Sequence, residues 1–207
     1  MSSVSAESLV SGSMVVAPQM SAFASKTMVS EQAIHARLKA IAVEVGKFFH
    51  GKITHANPLL VVSILKGSYI LAADFSRALF DANVPNEVEF VCVSSYGAGT
   101  STSGEVRMLL DLRTSLIRRH VLLIDDIIDS ARTVDFIVKV FSTRSPASLS
   151  TFCLLDKPSG RQLPFVANFT GFTIPNDFVV GYGLDFNQRF RDGRDIVVLK
   201  KECYSKL

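Results

Sequence analysis

Hydrophobic positions change their period along this chain, and the changes mark its elements. Ile34, Leu38, Ile41 and Val45 recur at the spacing of one helical face. Ser30 ahead of them supplies a capping hydroxyl, and Glu31 a favourable first-turn acid. Asn57-Pro58 closes that unit. Leu59–Leu65 is then a nearly continuous apolar run, as expected of a strand covered on both faces. Lys66, Gly67 and Ser68 make a turn, and residues 70–80 read as a helix. Val88, Phe90 and Cys92 alternate with Glu87 and Glu89, the pattern of a half-exposed strand. Residues 121–124 form a second doubly covered strand. A polar loop over 125–133 follows, then a helix marked by Val134, Ile137, Val138 and Phe141. Residues 149–155 and the short run 178–181 complete the strands. Strands alternating with helices predict an α/β fold built on a mainly parallel sheet.

Two segments carry no such period. Residues 96–104 are small or turn-forming apart from Tyr96, so they cannot pack a core. They are a solvated hairpin loop or a mobile lid. Residues 1–26 are rich in Ser, Ala, Val and Met but lack the basic start and compact apolar stretch of a secretory signal. A poorly ordered tail over 1–27 and one domain over 28–204 are expected.

Composition narrows the class. A chain of 207 residues, 48% hydrophobic and 20% charged, buries a core and suits one ordinary domain. The net charge of +3 is spread among nearly as many acids, which argues against a nucleic-acid partner and suits a small polyanion. No apolar stretch approaches a membrane span. Cys92, Cys153 and Cys203 form no C-x-x-C pair and read as reduced thiols of an intracellular protein, the first two as small buried hydrophobes. His35, His50, His55 and His120 have no zinc-type spacing. Ser205-Lys206-Leu207 matches the tripeptide read by the peroxisomal import receptor. That receptor is therefore an expected partner and a peroxisome-type organelle the expected location, with the cytoplasm as the alternative.

The chemistry concentrates in residues 121–133, VLLIDDIIDSART. A buried strand runs into a loop with three carboxylates, then Ser130 and Thr133, then a helix. Ligands of open α/β sheets bind beyond the carboxyl ends of the strands. A helix start with free N–H groups and hydroxyls makes a phosphate cradle. Neither a Walker loop nor a G-x-G-x-x-G turn is present. The acids repel phosphate unless they face another part of the ligand. Asp125 and Asp126 suit ribose hydroxyls, directly or through a hard cation, and Mg²⁺ takes one or two carboxylates plus substrate oxygens. A surface acidic turn capping a helix is the plainer alternative.

The same stretch resembles the phosphoribosyl pyrophosphate signature of type I phosphoribosyltransferases, in its hypoxanthine-guanine form. Leu65-Lys66-Gly67 resembles the family's pyrophosphate turn, and Ser94-Ser95-Tyr96 the start of its lid. Leu155-Asp156-Lys157 resembles the strand end bearing a base-reading lysine. Residues 178–185, FVVGYGLD, continuing to Phe190-Arg191-Asp192, resemble the purine-binding hood. The likeness runs from about Ala33 to Glu202.

The resemblance implies a twisted sheet with a small hood, a Mg²⁺-dependent transfer of phosphoribosyl to hypoxanthine or guanine, and a homodimer or homotetramer. Asp125 and Asp126 would meet the ribose hydroxyls and one Mg²⁺, and Asp185 a second. Asp129 would be general base. Ser130, Ala131, Arg132 and Thr133 would hold the 5′-phosphate, and Lys66, Gly67 and Arg191 the pyrophosphate, with Ser95 and Tyr96 closing over it. A cis peptide is implied ahead of Lys66. Lys157 would read the 6-oxo group, Phe178 would stack on the purine, and the Val179 backbone would read its edge. Asp125 stands where a glutamate is usual, shortening the reach to ribose by one methylene. Ala131 stands where a glycine is frequent, and so is expected to tolerate fewer backbone angles. That alanine, taken with the terminal Ser-Lys-Leu, resembles the glycosomal enzymes of kinetoplastids. The competing readings are a xanthine-preferring enzyme of the same fold and a nucleic-acid-binding regulator that senses phosphoribosyl pyrophosphate.

Overall fold

The computed structural model describes residues 4–5, 20–95 and 106–204. In chain order the elements are β1 (Val4–Ser5), β2 (Ala24–Val29), α1 (Glu31–Phe48), β3 (Leu59–Leu65), α2 (Tyr69–Asp81), β4 (Asn86–Ser95) and β5 (Val106–Leu110). Then come β6 (His120–Ile128), α3 (Arg132–Ser142), β7 (Ser148–Asp156), β8 (Phe169–Thr173), β9 (Val179–Val180) and β10 (Ile196–Leu199). The large sheet has the order β1-β8-β7-β6-β3-β4-β5. Its strands pair in parallel except at the β4–β5 edge, which is antiparallel. A small antiparallel sheet, β2-β10-β9, forms the hood.

The apolar runs of β3 and β6 follow from burial on two sides. Leu59 and Val61 of β3, with Leu122 and Ile124 of β6, face a core built with α1 and α2. Leu60, Val62 and Ile64, with Val121 and Leu123, face a second core built with α3. The two-residue period of a strand sends alternate side chains to opposite faces, so a strand with helices on both sides has no solvent-facing position. Phe49, Phe75 and Phe152 fill the first core and Phe141 the second, all fully buried. Each such side chain contributes about 1.5–3 kcal/mol.

The structure corrects several boundaries. α1 is capped by Ser30 Oγ, which accepts from Ala33 N at 3.3 Å as the sequence suggested. It ends at Phe48, however, well short of Asn57-Pro58, with Gly51 at φ +74° in the turn that follows. Strand β6 does not stop at residue 124 but runs through Asp125 and Asp126 to Ile128. The cause is its neighbour: β7 continues to Asp156 and offers ladder partners to Asp125, Ile127 and Ile128. The expected tail over 1–27 overlaps β2, whose residues 24–29 pair with β10 and place Ala24 and Val29 in the interior. The expected lid over 96–104 falls outside the described residues; Ser94 and Ser95 ahead of it end β4.

Candidate active site

The order of the large sheet creates the crevice. After β3 the chain moves outward to β4 and β5; after β6 it moves the other way, to β7 and β8. The reversal falls between β3 and β6, where an α/β sheet leaves room for a ligand beyond its carboxyl ends. Two clefts open there. The smaller, about 260 Å³, includes Asp125, Ser130, Ala131 and Thr133 in its lining. The larger, about 690 Å³, includes Lys66, Lys157, Phe178, Val179, Asp185 and Arg191. Gly67, Asp126 and Asp129 line both, so the clefts are one continuous site. Arg132 is exposed and lines neither. Tyr96 lies outside the described residues, and of Ser95 only the backbone is described.

At the phosphate end the chain leaves β6 and enters α3 through Ala131, which caps the helix at φ +69° and ψ +3°. The expectation that an alanine would keep this position out of unusual angles is therefore wrong. The left-handed conformation is held at a cost of about 1–2 kcal/mol against glycine, and the methyl is buried at 4% exposure. An alanine has no side-chain oxygen to cap the helix. Ser130 Oγ accepts from Arg132 N at 3.4 Å, and the helix start, with Ala131 and Thr133, lines the smaller cleft, an arrangement suited to an anion.

The carboxylates sit beside this cradle. Asp125 is 7% exposed, and its Oδ1 accepts from Asp126 N at 3.1 Å. Burial, and then the neighbouring Asp126 charge, push the Asp125 carboxyl well above the usual carboxylate range. Burial also raises Asp126. The Asp126 carboxylate lies directly on Gly67: a Cβ there would fall 1.8 Å from Oδ2. The turn that carries Gly67 is fixed from below by two fully buried serines, Ser63 and Ser68, bonded at 2.6 Å. Ser68 Oγ also bonds the Ile64 carbonyl. The Leu65–Lys66 peptide is cis, as the resemblance implied.

The cationic end already has internal partners. Gln188 Oε1 accepts from Lys66 Nζ at 3.2 Å and from Arg191 Nη2 at 3.1 Å. Arg191 also pairs with Asp185 at 2.8 Å and donates to the Gly183 carbonyl at 2.8 Å. Gly183, at φ +98°, packs so closely on the Gly67 carbonyl that a Cβ would come within 1.9 Å of it. Only a residue without Cβ allows the hood to close on the Lys66 turn in this way.

The opposite end of the crevice is lined by Lys157, just past β7, and by the hood. Lys157, 8% exposed, donates from Nζ to Asp129 Oδ2 at 3.2 Å. Phe178, 37% exposed, stacks on Tyr204 at 5.1 Å and meets the edge of Phe186 at 5.7 Å. Val179 is buried at the same wall. Among the described residues, no three or more His, Cys, Asp and Glu side chains gather as a metal cage. Asp125 and Asp126 adjoin, whereas Asp185 stands across the cleft beside Arg191. Such a divided donor set fits a hard cation carried by substrate oxygens, the usual habit of Mg²⁺.

Sequence reasoning missed the parts played by Gln188 and Gly183. Gly183 could have been suspected from its place between Tyr182 and Leu184 in a tight hood turn. Nothing in the sequence distinguishes Gln188 from a surface glutamine.

Comparisons with known proteins agree with this geometry. Residues 32–187 match the model of the Phosphoribosyl transferase domain family. The hypoxanthine-guanine phosphoribosyltransferase of Leishmania donovani is 46% identical over 181 residues, covering 87% of this chain and 86% of that protein. The protein of the same name from Crithidia fasciculata is 42% identical over 182 residues, covering 87% and 88%. The solved hypoxanthine phosphoribosyl transferase of Trypanosoma cruzi superposes with a TM-score of 0.85 at 47% identity, covering 89% of this chain and 95% of that one. Sheet order, strand-end site and sequence likeness agree along the same stretch of chain, and the chain belongs to the phosphoribosyltransferase domain family.

Proposed function

We propose that this chain serves purine salvage, transferring 5-phosphoribosyl from phosphoribosyl pyrophosphate to hypoxanthine or guanine to form IMP or GMP. The observation that carries the reading is the single crevice joining the α3 start at Ala131, a carboxylate pair and the Lys157–Asp129 pair. Homologues of the same name, and the T. cruzi enzyme solved with its product IMP, support it.

The reaction forms a bond from a purine imidazole nitrogen to ribose C1 and breaks the C1–O bond to pyrophosphate, whose oxygen takes the electron pair. In our reading the α3 start holds the 5′-phosphate through the Ala131–Thr133 backbone and the Ser130 and Thr133 hydroxyls. Arg132 takes part through its backbone, its exposed side chain lining neither cleft. Asp125 and Asp126 meet the ribose hydroxyls, where negative charge favours a C1 that becomes cationic. Lys66 and Arg191 receive the departing pyrophosphate, and Asp129 takes the imidazole proton. Lys157 donates to the 6-oxo group, and Phe178 covers the purine face. Mg²⁺, held by Asp125, Asp126 and Asp185 together with substrate oxygens, would neutralise charge developing on the leaving group.

The wider setting belongs to the same proposal. The kinetoplastid relatives support a glycosome, with Ser205-Lys206-Leu207, outside the described residues, as its receptor-read address and the cytoplasm as fallback. Assembly as a homodimer or homotetramer is expected. The direct test incubates the purified protein with phosphoribosyl pyrophosphate, Mg²⁺ and each of hypoxanthine, guanine, xanthine and adenine, and measures nucleotide and pyrophosphate. Equimolar IMP or GMP and pyrophosphate, abolished by chelation, is expected. Absence of product with all four bases would refute the reading.

A further inference from the structure

Asp129 poses a positioning problem. A proton acceptor must sit within about 1 Å of its productive place, and a misplacement of that size can cost about 10²-fold in rate. Yet the Asp129 side chain is 48% exposed and stands on a loop. What surrounds its backbone is far more ordered than its exposure suggests.

The chain leaving Lys157 doubles back beneath this loop through the turn Pro158–Gly160. Three consecutive carbonyls of the loop are gripped by it. The Ile128 carbonyl accepts from Lys157 N at 3.0 Å and from Arg161 Nη1 at 3.0 Å. The Asp129 carbonyl accepts from the same Nη1 at 2.9 Å. The Ser130 carbonyl accepts from Gln162 N at 3.1 Å and Leu163 N at 3.3 Å. Arg161 is itself anchored by an ion pair with Asp156, at the end of β7. Both side chains are largely buried, at 17% and 23% exposure. A guanidinium keeps its charge at all working pH values and offers donors in a fixed planar fork, so one group can serve two carbonyls and a carboxylate together.

The carboxylate itself is set from two sides. Lys157 holds Oδ2. Oδ1 rests against Gly160 so closely that a Cβ there would lie 1.6 Å away. The absence of a side chain at 160 is what leaves room for Asp129 in its present place.

We propose that Gly160 and Arg161 are positioning residues for Asp129: Arg161 fixes its backbone to the end of β7, and Gly160 leaves the space its carboxylate occupies. The inference rests on the reading of Asp129 as general base. The test compares Gly160→Ala, Arg161→Gln, Asp129→Asn and the two double variants, reading kcat, the KM values of both substrates and thermal melting. The alanine methyl meets only the end of one half-exposed side chain, so Gly160→Ala should melt near wild type. It should lower kcat about 10–100-fold with KM for phosphoribosyl pyrophosphate little changed. Added to Asp129→Asn, neither substitution should lower kcat further, because groups acting through one residue do not multiply. Should Arg161→Gln fail to fold, Arg161→Lys keeps the charge facing Asp156 but lacks the fork, and carries the same comparison. Wild-type kcat in Asp129→Asn would overturn the base reading and this inference with it. A slow Asp129→Asn beside unaffected Gly160→Ala, or full multiplication in the double variants, would overturn the inference alone.

Discussion

Replacing Lys157 by methionine separates the recognition role proposed for it from a structural one. The ammonium is 8% exposed and finds Asp129 at 3.2 Å before any base is present. A 6-oxo purine offers an acceptor and joins that pair, whereas adenine presents an amino donor and leaves the lysine with Asp129 alone. A site built on such a bond discriminates by about 10⁴–10⁵. A charged hydrogen bond is worth about 1.5–3 kcal/mol, so Lys157→Met should lower kcat/KM for hypoxanthine and guanine about 10–100-fold. Adenine loses nothing by the change, and the preference for hypoxanthine over adenine should fall by at least that factor. Stability should move little. Asp129 is 48% exposed and stays solvated without its partner, while methionine fills most of the lysine stem's volume. We expect a change within about 1 kcal/mol, since the usual penalty for breaking a buried pair is screened on the Asp129 side. The assay is kcat/KM for hypoxanthine, guanine, xanthine and adenine in both proteins, with melting as control. Comparable use of adenine and hypoxanthine by the wild type, or an unchanged ratio in the variant, would refute the reasoning.

Three further outcomes follow from particular environments. At Ala131, glycine relieves about 1–2 kcal/mol of left-handed strain but loses about 0.8 kcal/mol of buried methyl and gains unfolded-state freedom, so Ala131→Gly should melt within a few degrees of wild type. Ala131→Val, β-branched at φ +69°, should melt far lower, and equal melting of the two would contradict the φ. Burial pushes the Cys153 thiol up to about 12, so at pH 8 only about 10⁻⁴ of it is thiolate and a thiol reagent should leave it unlabelled in the folded protein; labelling as fast as Cys92 or Cys203 would refute this. The Arg144 guanidinium beside Asp111 holds that carboxyl below its usual range. The contribution is present above the unfolded pKa and lost as pH falls through the lower folded value. Because Asp111 is 46% exposed, Asp111→Asn should cost only about 0.5 kcal/mol at pH 7 and nothing below that window, read from melts across pH.

How much of this was legible beforehand depended on whether the signal was local. The doubly covered strands announced themselves, because burial on two faces leaves Ser63 as the one polar residue in Leu59–Leu65 and none in residues 121–124. The α1 cap was equally local, one serine three residues from the N–H it accepts. The end of β6 was not, since Asp125 and Asp126 look like loop residues until β7 is known to extend alongside them. β5 escaped for the opposite reason. It is an edge strand with Leu109 and Leu110 exposed, so no periodic burial marked it. In the site, residues carrying charge or hydroxyls on one motif were readable, and the crevice does gather Asp125, Asp126, Asp129, Ser130 and Thr133. Gly160 and Gln188 were not, because each matters through a neighbour distant in sequence.

The cleft's charges also explain why a polyanion suits it without prior ordering of new groups. Lys66 and Arg191 share one neutral oxygen of Gln188, at 3.2 and 3.1 Å. An amide oxygen brings the two cations together but cannot neutralise them. Arg191 takes Asp185 as a further partner, in a pair that is largely buried at 18% and 26% exposure. A pyrophosphate oxygen arriving at the same point replaces a neutral acceptor by a charged one, and charge-assisted bonds are about twice as strong as neutral ones. The exchange at Gln188 therefore runs downhill, and Arg191 can keep Asp185 while it happens. Lys157 differs. Its partner is a carboxylate and its ammonium is nearly buried, so a base that fails to offer an acceptor has nothing to give in exchange. The two ends of one crevice thus ask different things of a ligand: at the Lys66 end only negative charge, and at the Lys157 end an acceptor atom at a fixed position.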